Sequence, residues 1–249
     1  MFFEMSYRSK AIKTTTTVSV ILPDNVEGTY KTLYLLHGAG GNNTVWPRFS
    51  SIERYAKEHN IAVVMPSVGN SWYTDTAYGV NYFTFVTEEL PEFCRAHFKG
   101  MTDRREDNLI AGLSMGGYGA FKIALTYPER YFACASLSGA FDITRKGRPY
   151  DLSLWKANFG FLLNSAAELE GTAHDVFHLA KQAKLTGKQL PKMFIWCGTE
   201  DRLLDASRSY HTLLTELEID HEYRESEGDH SWKWWDMHIK PALEYLLNT

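Results

Sequence analysis

Two rhythms of apolar and polar positions alternate along the chain. Short runs dense in β-branched or apolar residues fall at 15–22, 32–36, 61–65, 108–111, 132–137, 193–197 and 222–225. Their length and composition predict strands. The stretches 51–59, 83–97, 116–127, 206–217 and 232–247 instead carry apolar residues at helical spacing, which predicts helices with one buried face. Strand followed by helix, repeated, predicts an α/β fold with a mostly parallel central sheet covered on both faces. The run around Val18 and Val20 has no helix after it and is expected to form an antiparallel hairpin at the sheet edge.

From 141 to 191 the rhythm breaks. This stretch shows no clear strand but carries short helical pieces at 155–159 and 173–183. It reads as a lid-like insertion over the strand ends, where binding loops sit. No Pro/Gly/Ser-rich linker flanks it, so residues 1–249 are expected to form one domain.

Composition narrows the partners. With 26 basic and 30 acidic residues the formal net charge is −4, which gives no electrostatic reason to expect nucleic acid or an anionic membrane. Glu4 and Arg8 interrupt the apolar start, so 1–10 is expected to be neither signal peptide nor membrane span, and no later run approaches the ~18 apolar residues of a spanning helix. Cys94, Cys134 and Cys197 are odd in number, far apart and without a CxxC pair. They read as buried, reduced thiols of a cytoplasmic protein.

The chemistry concentrates where the run 108–111 enters Gly112-Leu113-Ser114-Met115-Gly116-Gly117 and a helical stretch follows. GxSxG between a strand and a helix is the nucleophile elbow, a sharp turn that presents Ser114 while the helix N-terminus aims free amides at a developing oxyanion. The run 32–36 ends in His37-Gly38-Ala39-Gly40-Gly41, the HG-type loop that supplies a second oxyanion amide. Ala39 and Met115 are the expected donors, with His37 bracing the loop. The loop lacks both the Lys-Ser/Thr ending and the GxGxxG spacing of a phosphate cradle.

In this arrangement the acid and then the base follow the serine in sequence. His230 lies after the run 222–225 and the turn Gly228-Asp229, and before the last helix, as the base should. His221 falls at a strand, His238 within a helix, and His174, His178 and His211 read as surface helix positions. Beyond the run 193–197 come Gly198-Thr199-Glu200-Asp201, where both carboxylates are near enough to serve and the Gly-x-x-Asp spacing favours Asp201. Asp205 reads as a helix N-terminal residue and Asp229 as a turn residue. Such a triad works without metal or cofactor, and no HExxH or CxxC spacing suggests one.

LYLLHGAGGNNTVW, NSWYTDTAYG, VTEELPEF, AGLSMGGYGAFKIAL, WCGTEDRLLDA and GDHSWKWWD, in that order from Leu33 to Asp236, resemble the esterase D group of α/β-hydrolases. That group includes S-formylglutathione hydrolases, feruloyl and acetyl esterases and mycolyltransferases, and the resemblance is greatest to the small tributyrin esterases of Gram-positive bacteria. It implies a serine carboxylesterase that forms an acyl-enzyme on short-chain esters, with Ser114, Asp201 and His230 as triad. It also places Trp46, Trp72 and Tyr73 along the acyl pocket, although core packing is their other reading. The resemblance weakens over 141–191, where substrate choice would be decided. A non-catalytic binding module of the same fold would have lost the serine or the histidine. An acyltransferase would keep the triad and hand the acyl group to an alcohol. The natural ester and any homo-oligomer stay open.

Overall fold

The computed structural model describes residues 1–24, 27–144, 156, 158–159 and 166–248. Eight strands form one sheet: β1 (Phe2–Arg8), β2 (Thr15–Ile21), β3 (Thr32–Leu36), β4 (Ala62–Pro66), β5 (Asn108–Leu113), β6 (Ala133–Leu137), β7 (Lys192–Gly198) and β8 (Glu222–Ser226). Their spatial order is β1-β2-β4-β3-β5-β6-β7-β8. β1 and β2 pair antiparallel and β2 meets β4 antiparallel, whereas every pairing from β4 to β8 is parallel. The expected edge hairpin is therefore present. The sequence reading had no strand at 2–8, where Phe3, Met5 and Tyr7 alternate with polar residues and are only half buried.

Each central strand is buried on both faces, and its alternate residues enter different cores. Tyr34 and Leu36 of β3 join one apolar cluster, Leu33 and Leu35 the other. In β5, Ile110 divides from Leu109 and Ala111 in the same way. The first core lies under α5 (Met115–Thr126), α6 (Val176–Leu185) and α7 (Leu204–Glu216); the second lies under α2 (Ile52–Glu58) and α8 (Trp232–Leu247). Burying one large apolar side chain such as Trp196 or Phe121 contributes roughly 1.5–3 kcal/mol, so both faces anchor the sheet strongly.

Three elements refine the expected helices. A short α1 (Val45–Phe49) follows the β3 loop. The stretch expected at 83–97 is α3 (Tyr82–Thr84), one wider π turn at Phe85–Glu89, and α4 (Leu90–His97). Pro91 has no N–H to offer the Thr87 carbonyl, and the Arg130 guanidinium donates to that carbonyl instead, at 3.1 Å. Within the expected insertion, α6 begins at an Asp175 cap whose carboxylate accepts the Phe177 amide. Of the piece expected at 155–159, residues 156, 158 and 159 are helical, whereas 155 and 157 lie outside the described residues, as do Arg145, Lys146, Arg148 and Asp151.

The three thiols are free and buried, and burial pushes Cys94 and Cys197 up to about 12. Among the described residues no helix is long and apolar enough to cross a membrane.

Candidate active site

The turn from β5 into α5 needs two chain segments to touch. A Cβ on Gly112 would stand 2.4 Å from the Gly116 carbonyl, and one on Gly116 would stand 2.5 Å from the Leu36 oxygen, so only glycine fits at either position. Between them Ser114 takes φ 53° and ψ −117°, a region that costs a side-chain-bearing residue about 1–3 kcal/mol. Neighbouring backbone holds it there. The Ser114 amide donates to the Leu137 carbonyl at 2.9 Å, and its carbonyl accepts from the amides of Tyr118 and Ala140 at 3.1 and 3.2 Å.

Ser114 Oγ lies 3.1 Å from His230 Nε2, and His230 Nδ1 lies 2.9 and 3.0 Å from the two carboxylate oxygens of Asp201. With the ring proton on Nδ1, the imidazole donates to Asp201 and accepts from the serine hydroxyl. Trp235 meets the imidazole edge to face at 4.9 Å and limits its rotation. The Asp201 side chain is wholly enclosed. Burial by itself would raise its pKa. Hydrogen bonds from His230, from the Ser138 hydroxyl and from the Leu203 amide, together with the attraction of the imidazolium, outweigh burial and hold the carboxyl below its ordinary value. The competing Glu200 accepts from the Gly228 amide at 2.7 Å and braces the loop ahead of His230.

Ser138 escaped the sequence reading. It sits just past β6 at φ 52°, accepts from the Trp235 indole at 3.0 Å and bonds to Asp201. A lone serine at a strand end carries no local signal of such a role. Only the positive φ, visible in three dimensions, marks the position.

Ala39 lies in a turn closed by the Gly41 amide on the Gly38 carbonyl at 3.1 Å and held from outside by the Gly40 amide on Asn70 Oδ1 at 2.6 Å. Met115 is the first residue of α5. Neither amide donates to a partner among the described residues, so both remain available to a bound anion. His37 braces the loop as expected. Its Nδ1 donates to the Gly38 carbonyl at 2.8 Å, its Nε2 accepts the Val68 amide at 3.1 Å, and burial pulls its pKa down to about 4, so the ring is neutral.

The three aromatic positions expected along the acyl pocket separate. Trp46 closes into the second core, its indole on the Leu36 carbonyl and its ring edge-on to Trp232. At 1% exposure it offers no surface to an acyl chain. Tyr73 is fully buried against α5, with its hydroxyl on the His37 carbonyl at 2.8 Å. Trp72 keeps the most surface of the three, at 6% exposure, and lies edge-on to Tyr118. His174 is no surface helix residue either. It precedes the α6 cap, and burial next to the Lys122 charge lowers its pKa to about 3. His178 and His211 do lie on helices, as expected.

The sequence profile of the family described as "Putative esterase" matches residues 9–246. The chain belongs to this family. It is 33% identical to an acetyl esterase of Caldicellulosiruptor saccharolyticus, across 98% of this chain and 97% of that protein. Among solved structures it is similar to the substrate-bound fluorophosphonate-binding serine hydrolase F of Staphylococcus aureus, at 33% identity and a TM-score of 0.93, covering 100% of this chain and 99% of that one. It is also similar to an S-formylglutathione hydrolase from the same organism, at 33% identity and a TM-score of 0.89 over the same shares. The esterase is thus a serine carboxylesterase of the α/β-hydrolase fold.

Proposed function

We propose that this esterase hydrolyses short-chain carboxylic esters, with Ser114 as nucleophile, His230 as base and Asp201 as its partner. The observation that carries the reading is the unbroken line from Ser114 Oγ through the imidazole to the Asp201 carboxylate, at 3.1 and 2.9 Å. As Ser114 Oγ attacks the ester carbonyl, its proton passes to His230 Nε2, and Asp201 stabilises the imidazolium. The Ala39 and Met115 amides hold the oxyanion. His230 then protonates the departing alkoxide, and an acyl-enzyme remains. Water attacks it by the same route in reverse, which releases the acid and restores the serine.

The acyl preference rests on the likeness to an acetyl esterase and on Trp72, which we assign to the wall of the acyl site. We also read 141–191 as covering that site within one domain. In support, the Asn158 side chain donates to the Asn70 carbonyl at 2.9 Å, at the start of the loop that carries Trp72. Each methylene that fits adds ~0.8 kcal/mol by burial, whereas overfilling a closed site reverses the gain. Along a p-nitrophenyl ester series, kcat/KM should therefore peak at about two to four carbons. A steady climb to longer chains would refute the short site. The likeness to an S-formylglutathione hydrolase supports a second substrate, and a kcat/KM for S-formylglutathione above that for the acetyl ester would favour it. Product analysis with an added acceptor alcohol separates hydrolysis from acyl transfer.

A further inference from the structure

Lys122 lies within α5, and its side chain enters the first core, where it is 3% exposed. Its Nζ donates to the Tyr73 carbonyl at 3.0 Å and lies 3.3 Å from His174 Nδ1, which Thr74 Oγ1 meets at 3.1 Å. The rings of Phe83 and Tyr118 flank it at 5.0 and 5.8 Å. Among the described residues no carboxylate lies within ion-pair distance of Nζ. Burial draws its pKa down to about 7, and the more distant Asp75 offsets that only in part. A methionine would fill this space without stranding an amine, so packing does not explain the residue.

What the amine holds is more informative. Trp72 and Tyr73 are consecutive non-glycine residues at φ 54° and 48°, a strained pair that persists only where its surroundings fix it. The Tyr73 carbonyl is fixed by Lys122. Its ring lies against α5 at Gly119, where a Cβ would come within 2.5 Å of it. Its hydroxyl donates to the His37 carbonyl, and the His37 ring donates to Gly38, next to Ala39. One bonded path thus runs from inside α5 to the loop over the nucleophile.

We propose that Lys122 is a positioning residue for acyl transfer: by holding the Tyr73 carbonyl it sets, through the Tyr73 hydroxyl and the His37 carbonyl, the loop that carries the Ala39 amide. The proposal rests on the reading of Ala39 as an oxyanion donor. It concerns the transition state rather than substrate capture, because a donor displaced by a fraction of an ångström weakens the oxyanion contact more than the ester contact.

The test uses Lys122→Met, Tyr73→Phe and the double variant, with active sites counted by fluorophosphonate labelling of Ser114 and kcat and KM measured on an acetyl ester. Each single variant should lower kcat per labelled site by about tenfold or more while KM moves less than about threefold. The double variant should be no worse than the weaker single one by more than about twofold, because both cut the same path. Wild-type kcat per site in either single variant, or losses that multiply, would overturn the relay. Tyr73→Phe removes only a hydroxyl, so it decides the matter even if Lys122→Met does not fold. Ala39→Pro, which lacks the amide proton, separates the two readings. If it keeps wild-type kcat, the oxyanion assignment falls; if it is inactive while Tyr73→Phe turns over normally, only the relay falls.

Discussion

Glu200 and Gly228 bind each other twice, the Glu200 amide donating to the Gly228 carbonyl at 2.9 Å and the Gly228 amide to the Glu200 carboxylate at 2.7 Å. This ring of contacts joins the loop of Asp201 to the loop of His230. It also turns the Glu200 carboxylate away from His230 and leaves the imidazole to Asp201. Asp201→Asn should therefore lower kcat by roughly 10⁴, because the amide favours the wrong tautomer of the ring. Glu200→Gln should cost far less in kcat and show mainly as a lower melting temperature. Steady-state kinetics and thermal melts on both variants check this, and a larger kcat loss in Glu200→Gln would reverse the assignment.

Ser114→Ala should remain folded, lose fluorophosphonate labelling and turn over about 10⁶ times more slowly. Retention of even a tenth of the activity by a folded Ser114→Ala protein would be incompatible with a serine mechanism.

Ser138 acts one bond further out. Its hydroxyl links the Trp235 indole to Asp201 and helps to keep that carboxylate ionised. In Ser138→Ala the indole loses its acceptor and Asp201 a donor, so kcat should fall about tenfold, with a destabilisation of about 1–3 kcal/mol. Urea titration and kinetics measure the two effects separately. Unchanged kcat would reduce Ser138 to a packing role.

Stability should fall in acid before any carboxylate titrates. The folded-state values of about 4 for His37 and about 3 for His174 lie below the 6.5 of a free imidazole. Between those limits the unfolded chain binds more protons, so acid favours unfolding. At pH 5 each histidine removes about 2 kcal/mol relative to neutral pH. Asp201, whose folded value is depressed, adds its own loss only at lower pH, as it takes up its proton. Melts from pH 7.5 to 4.5 should show a steady decline, and a flat profile down to pH 5 would contradict the burial of these rings.

Much of this was legible in the sequence, for reasons that particular residues make plain. The central strands are apolar because both their faces are buried, so Leu33–Leu36 and Asn108–Leu113 announced themselves. Ser114 and His230 followed from chain order and from the element preceding each. β1 was missed because, at the sheet edge, only Phe3, Met5 and Tyr7 are half buried while the other face is exposed, which leaves a short and weak alternation. Trp46 was misplaced because its sequence neighbour, the glycine-rich loop, stands over the site while its side chain goes to the opposite face of the sheet. Lys122 and His174 gave no signal. A charged residue in a helix reads as solvent-facing unless the loop that buries it, here Tyr73 and Thr74, is already known to lie against it.

The dihedrals of Ser114 carry a consequence for how this chain can change over generations. The mirror image of φ 53°, ψ −117° is ordinary extended backbone, so glycine occupies this conformation without strain while every other residue is penalised. With Ser114 as the proposed nucleophile, its mutation to glycine would therefore relax the backbone at the moment it ends turnover. Stability alone draws this position toward glycine, and only selection for turnover keeps a hydroxyl there. A lineage freed from the need for hydrolysis should lose the nucleophile early and retain the sheet, the helices and the surrounding loops as a firmer, silent scaffold.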